Sequence, residues 1–232
     1  MSKPSILLIP GACGLPEFYE SFINAVTARG YEIRGLHLPS VCLKTETREG
    51  EAPTMYEDAA FIAKHATALA DEGKDVLILT HSYGGVPGTE SVKGLRVAAA
   101  GLQADSGLQE TAPFDIDDKG WITLPDIEKA AATSFSHMPP EESERWARKL
   151  QKHSAASFAS PLTYAGYKDV PVSYLLCEED RAIPAAVQKA GIELIERESG
   201  RPVDVTSIKT GHCPTLSAPK ETEGWIFKVL EG

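Results

Sequence analysis

The chain has 232 residues, 42% hydrophobic and 24% charged, which is enough for one well-buried core and gives no reason to expect disorder. Its formal net charge of −10, with no run of basic residues, argues against a nucleic-acid partner, because phosphate binding needs clustered Lys and Arg. The apolar run Ile6 to Ile9 is too short for a secretion leader or a membrane span. Cys13, Cys42, Cys177 and Cys213 have neither metal-ligand spacing nor a dense disulfide pattern, so the expectation is reduced thiols in a cytoplasmic protein with no membrane partner.

Short apolar runs alternate with amphipathic stretches along the chain. Residues 5–10 (SILLIP) read as a buried strand. Residues 16–30 read as a helix, with Phe18, Phe22, Ile23 and Val26 on one side and Gly30 as its stop. Residues 31–39 give a second strand and 40–53 a polar loop broken at Pro53. Residues 55–74 form a long helix, 75–82 (DVLILTHS) a strand apolar on both faces, and 84–94 open the next helix. The pattern resumes near the end, with strands over 170–180 and 201–211 and helices over 184–199 and 219–231. Strands alternating with helices imply βαβ units and a mostly parallel central sheet covered by helices on both faces.

The middle is different. Residues 105–166 are rich in Pro, Asp, Glu, Ser and Ala. Residues 139–153 read as an amphipathic helix with an acidic start, and 121–131 as a turn leading into another. The block fits an inserted helical cap on a core made of 1–104 and 167–232. Its large apolar residues, Trp121, Phe135, Met138, Trp146, Phe158 and Tyr164, are expected mainly to pack the cap, since side chains of this kind are usually buried for packing.

The strongest local signal is Thr80-His81-Ser82-Tyr83-Gly84-Gly85, placed between an apolar strand and a Gly-rich helix start. That is the context of a nucleophile elbow, in which a sharp turn projects the serine hydroxyl at the top of the sheet. Thr80 stands where a Gly is usual. A serine needs a base, and His212, in KTGHCP directly after the last strand, faces the same sheet edge. His81 should point away from Ser82 and pack; His65 lies in a helix, His37 on a strand, and His137 and His153 in the cap. The base needs a carboxylate. Glu178, Glu179 and Asp180 end the penultimate strand, and Asp180, deepest into the loop, is the choice, with Asp105 as the reserve. The order Ser82, Asp180, His212 is that of one class of serine hydrolase. An oxyanion hole is expected from the Tyr83 N–H and from Ala12 N–H in the loop PGACG.

Through IPGACGLPEFY, THSYGG, EEDRAIP and TGHCPTLS, the chain resembles the α/β-hydrolase superfamily, and within it the small plant-type methyl esterases and hydroxynitrile lyases with their fungal relatives. The resemblance covers 5–93 and 167–232 and assigns the catalytic roles to Ser82, Asp180 and His212, with Ala12 and Tyr83 as oxyanion donors. Pro10 replaces the family's usual His, and Cys213 stands where the lyases carry Lys, which favours hydrolysis. The fold also calls for a core strand after the nucleophile helix. The segment there, GLRVAAAGLQADSGLQE, has no run of β-branched residues. Either Leu95 to Leu102 supply a poor strand, or the sheet is split between Ser82 and Asp180.

The expectation is therefore a serine hydrolase that cleaves a small-molecule carboxylic ester or lactone through an acyl-enzyme, with no cofactor and no metal. Two alternatives stand beside it: a non-catalytic small-molecule-binding or degenerate protein on the same fold, and a lyase using the same triad. Cys13 and Cys213 adjoin the expected site, so activity is expected to be oxidant-sensitive.

Overall fold

The computed structural model describes residues 3–43, 50–94, 98–101 (as backbone) and 114–232. The chain begins with β1 (Ser5–Ile9), a 3-10 turn over Pro16–Tyr19, α1 (Glu20–Ala28) and β2 (Glu32–Gly35). There follow α2 (Met55–Asp71), β3 (Val76–Thr80), a 3-10 turn over Ser82–Gly84, α3 (Gly85–Ser91) and β4 (Ala98–Gly101). These strands form a parallel sheet in the order β2-β1-β3-β4.

The sheet is apolar on both faces because helices cover both. Ile6, Leu8, Leu77 and Leu79 point to one side, against Phe22 and Val26 of α1. Their alternates Leu7, Ile9, Val76 and Ile78 point to the other, against Ile62, Ala66 and Leu69 of α2. All of them are at most 5% exposed. Each such side chain contributes about 1.5–3 kcal/mol relative to an exposed one, so this double packing outweighs every surface term. Local signals agree with it. Thr54 and Glu57 make a reciprocal cap at the start of α2, an arrangement worth about 1 kcal/mol.

The weak segment after α3 does become a strand. Backbone pairing aligns Leu77 with Ala98 and Thr80 with Gly101. Ladder hydrogen bonds need no side chain, so an alanine run can serve where the neighbouring strand already supplies the apolar cover. Leu95 to Val97 and Leu102 lie outside the described residues, as does Asp105.

Residues 114–166 combine strands with helices. β5 (Asp115–Ile116), β6 (Trp121–Thr123), α4 (Ile127–Ser134), α5 (Pro140–Ala147), β7 (His153–Ser154) and α6 (Ala155–Ala159) follow one another, with the strands antiparallel in the order β5-β6-β7. Two expectations are corrected. Residues 121–123 are strand rather than turn, and the helix expected over 139–153 stops at Ala147. The reason is tertiary. After a closing turn over Arg148 to Leu150, the backbone finds partners in the core instead of in its own helix: Gln151 N–H donates to Cys13 O, Cys42 N–H to Lys152 O, and Ser154 N–H to Ser40 O.

The chain closes with β8 (Ser173–Cys177), α7 (Ala185–Ser199), β9 (Asp204–Ile208), α8 (Pro214–Ser217) and α9 (Pro219–Glu231). β8 and β9 are parallel and in register from Ser173–Asp204 to Cys177–Ile208. β8 lies beside β4, but among the described residues no ladder joins them. Among the described residues the parallel layer is thus hydrogen-bonded in two pieces, with Ser82 following a strand of one and Asp180 and His212 following the two strands of the other.

Candidate active site

The turn after β3 is built for one side chain. His81 is extended, and Ser82 then takes φ +51°. A non-glycine residue in the left-handed region costs about 1–3 kcal/mol and persists only where the surroundings enforce it. Here Gly84 enforces it by close approach: a Cβ on Gly84 would lie 2.6 Å from the carbonyl oxygens of both Ile9 and Pro10. The turn is therefore pressed onto the end of β1. Thr80, bulkier than the usual glycine, is accommodated from the next turn of α3, where a Cβ on Gly88 would lie 2.6 Å from Thr80 Cγ2.

Ser82 Oγ lies 3.0 Å from His212 Nε2, and His212 Nδ1 lies 2.9 Å from Asp180 Oδ2. Asp180 is chemically committed on both oxygens. Its Oδ1 accepts the N–H groups of Ala182 (2.8 Å) and Ile183 (2.9 Å). Burial pushes the carboxyl upward, but the His212 charge and hydrogen bond and the two N–H groups outweigh it, so it ends below the usual carboxylate range. An ionised Asp180 fixes the proton on His212 Nδ1 and leaves Nε2 free to accept from Ser82 O–H. Gln188 supports the acid loop: its amide donates to the Cys177 and Ile183 carbonyls, and its oxygen accepts Cys177 N–H.

Of the two expected oxyanion donors, Ala12 sits between two residues whose N–H groups are already used. Gly11 N–H donates to Tyr19 Oη (3.1 Å) and Cys13 N–H to His153 Nδ1 (2.9 Å). Among the described residues Ala12 N–H has no partner. Tyr83 lies in the first turn after Ser82, and both Ala12 and Tyr83 line a cavity of about 920 Å³ together with Ser82 and His212. The wall is mainly apolar, with Phe18, Phe135, Leu150, Phe158 and Ile183 among its residues. Of the six large apolar cap residues, Phe135 and Phe158 reach the cavity, and Trp121, Met138, Trp146 and Tyr164 do not.

The remaining histidines separate by role. His81 does not face Ser82. Its Nε2–H donates to His212 O (2.7 Å) and its Nδ1 accepts Tyr19 O–H (2.7 Å), so it ties the loop of His212 to the loop of Gly11. Burial and the nearby His212 charge lower its pKa to about 3, so the ring is neutral. His137 bonds Glu179 at 2.5 Å and packs where a Gly211 Cβ would stand, a contact on the loops that carry Asp180 and His212. His153 is fully buried and does not line the cavity. His37 meets Glu17, and His65 packs on Phe61. Cys13 and Cys213 both line the cavity. Burial raises the Cys13 thiol to about 12 and the Cys213 thiol further still. Oxidation needs thiolate, so the expected oxidant sensitivity is not supported.

Sequence reasoning missed Ser40 and Asp58, and placed His153 in the cap without its partners. Asp58 is fully buried and accepts Ser40 N–H (2.9 Å), Ser40 O–H (2.5 Å) and Tyr83 O–H (2.6 Å). The one available signal is an acidic residue on the apolar side of a helix, three positions after Met55, where solvent exposure is not an option.

A model of the alpha/beta hydrolase family matches residues 6–224. The chain is 31% identical over 238 residues to the probable hydrolase R7 of Phoma sp., covering 95% of this chain and 96% of that one. In structure it is similar to a pyrethroid hydrolase from Sphingobium faniae, with TM-score 0.75, 19% identity, and 100% and 98% of the two chains covered. It is also similar to the methylesterase MES16 from Arabidopsis, with TM-score 0.77, 14% identity, and 98% and 99% covered. With the fold, the strained serine turn and a family match over nearly its whole length in agreement, the chain belongs to the alpha/beta hydrolase family.

Proposed function

We propose that the protein is a carboxylic ester hydrolase acting on a small-molecule ester or lactone, with Ser82 as nucleophile, His212 as general base and acid, and Asp180 as its orienting carboxylate. The observation that carries this reading is the continuous hydrogen-bonded line from Ser82 Oγ through His212 to Asp180, at 3.0 and 2.9 Å, opening on an apolar cavity. Names of relatives such as hydrolase and methylesterase point the same way.

In the reaction, Ser82 Oγ attacks the ester carbonyl carbon while its proton passes to His212 Nε2. The carbonyl oxygen becomes an oxyanion facing the N–H groups of Ala12 and Tyr83; removing one such donor typically costs about 3 kcal/mol. The tetrahedral centre collapses, and His212 protonates the departing alkoxide. Water then gives its proton to His212, attacks the acyl-enzyme and releases the acid, returning the proton to Ser82. Ester, water and triad supply every proton and electron pair in the cycle, so the reading requires no cofactor.

The cap over 105–166 is taken as the unit that selects substrate, and the aromatic wall favours a substrate with a bulky apolar part. All four cysteines are free thiols, which fits a reducing compartment such as the cytoplasm. No helix among the described residues is long and apolar enough to cross a membrane. The rival reading, a binding protein on the same fold, draws on a split sheet. Among the described residues the ladder does stop between β4 and β8, yet the three side chains meet at hydrogen-bonding distance across that line.

The test is fluorophosphonate labelling of the purified chain with peptide mapping. Label on Ser82 that is lost in His212→Ala is the expected result. A folded chain that takes no label, or a Ser82→Ala variant that keeps full activity on p-nitrophenyl butyrate, refutes the proposal.

A further inference from the structure

The buried groups around Asp58 lie outside the proposed chemistry, yet they reach both oxyanion donors. On one side, Tyr83 Oη–H donates to Asp58 Oδ2 at 2.6 Å. On the other, Ser40 Oγ–H donates to the same oxygen, Ser40 Oγ accepts from His153 Nε2–H at 2.9 Å, and His153 Nδ1 accepts Cys13 N–H at 2.9 Å. The proton count closes in one way only. Cys13 N–H is a fixed donor, so Nδ1 is bare and Nε2 carries the proton. Ser40 Oγ must then accept from His153 and spend its own hydrogen on the carboxylate. A neutral ring is required, and burial lowers the His153 pKa to about 3.

The residue at the end of this line is itself strained. Cys13 has φ +59° and follows Ala12 directly. Its two peptide groups are held by the same cap segment: its N–H by His153 and its C=O by Gln151 N–H at 2.8 Å. That segment is laid antiparallel along residues 40–42, with Ser154 N–H on Ser40 O, Cys42 N–H on Lys152 O, and Val41 bridged to His153. The rings of Tyr83 and His153 meet edge to face, with centroids 4.6 Å apart.

We infer that Asp58, Ser40 and His153 form a buried clamp that sets the positions of the Ala12 and Tyr83 N–H groups, making His153 a positioning residue through which the seating of the cap determines the geometry of the oxyanion hole. The clamp touches no substrate. It acts through the peptide that follows Ala12 and through the side chain of Tyr83. Its consequence for the reaction is selective: the hole is filled by charge only in the transition state, so a loosened clamp lowers kcat and leaves KM nearly unchanged. A cap that is not seated leaves Cys13 without either partner. The inference rests on the proposed ester hydrolysis.

The test is kcat and KM on p-nitrophenyl butyrate for wild type, His153→Phe, His153→Asn and Tyr83→Phe, with kcat expressed per site titrated by a fluorophosphonate. Titration removes any loss due to unfolded protein. His153→Phe keeps the ring volume and removes both hydrogen bonds, and kcat per site is expected to fall roughly 10- to 100-fold with KM within about twofold. His153→Asn restores an acceptor for Cys13 N–H and is expected to recover most of the loss. Tyr83→Phe, which releases the other arm, is expected to fall in the same way and decides the matter if His153→Phe does not fold. Unchanged kcat per site in both His153→Phe and Tyr83→Phe overturns the clamp, whatever happens to their thermal stability. A wild-type chain that takes no label at Ser82 instead removes the catalytic reading, and the clamp with it.

Discussion

Two buried neutral histidines should make this protein sensitive to mild acid. His81 and His153 each have their pKa lowered by burial from 6.5 to about 3. The folded state therefore refuses a proton that the unfolded chain accepts. Stability from each ring is complete above the unfolded value and falls as pH drops from 6.5 toward 3, because in that window the unfolded state binds more protons. At pH 5 both rings are still neutral in the fold, so the loss from pH 7 to pH 5 depends almost wholly on the unfolded value; it comes to about 2 kcal/mol per ring, or about 4 kcal/mol for the pair. That is a large part of the 5–15 kcal/mol typical of a whole domain. Asp58 works in the opposite direction, since burial raises its carboxyl, so the slope is best isolated by comparison. His81→Gln keeps a donor and an acceptor but cannot titrate. Urea unfolding followed by circular dichroism at pH 7, 6 and 5 should show wild type losing about 2 kcal/mol more than the variant between pH 7 and pH 5. Parallel pH dependences for the two proteins would mean that His81 is not held neutral by the fold, and the reasoning from burial would be wrong.

Gly84→Ala should damage both stability and activity. Its Cβ would meet two main-chain oxygens at 2.6 Å, an overpacking expected to cost about 1–3 kcal/mol, and lifting the serine turn by about 1 Å from the first loop should cut kcat by about 100-fold. A thermally stable, fully active Gly84→Ala protein would show that the close approach is not needed. The four buried or half-buried thiols should react with Ellman's reagent only after unfolding in urea, and peroxide at neutral pH should leave ester hydrolysis unchanged; rapid native labelling of Cys13 would contradict the burial argument.

The serine turn is legible in the sequence because its requirements are local. A nucleophile elbow demands a strand, a serine and small residues in a fixed order, and Thr80 to Gly85 meet that demand in six consecutive positions. The first strand, the helix over Met55–Asp71 and the closing helix are legible for a related reason: each carries its own apolar run or periodicity, and its burial follows it. His212 and Asp180 can be placed after strands, and chain order then links them to Ser82. What the sequence cannot supply is distance. That His212 stands 3.0 Å from Ser82 follows from how β8, with β9 paired to it, lies beside β4 across an edge with no ladder among the described residues.

The segments that sequence pattern does not decide are those whose backbone partners lie far along the chain. Ala98 to Gly101 have little β propensity of their own and become a strand only because β3 offers its edge. Residues 148–153 continue a helical pattern in sequence, but Gln151 N–H is claimed by Cys13 and Lys152 C=O by Cys42. The sequence by itself determined the alternating layers and the serine turn, because periodicity and turn sterics act within a few residues. Only the tertiary structure decided the role of His153, since a buried imidazole takes its tautomer and its task from whichever donors and acceptors the fold brings to it, and its partners, Cys13 and Ser40, lie 140 and 113 residues away.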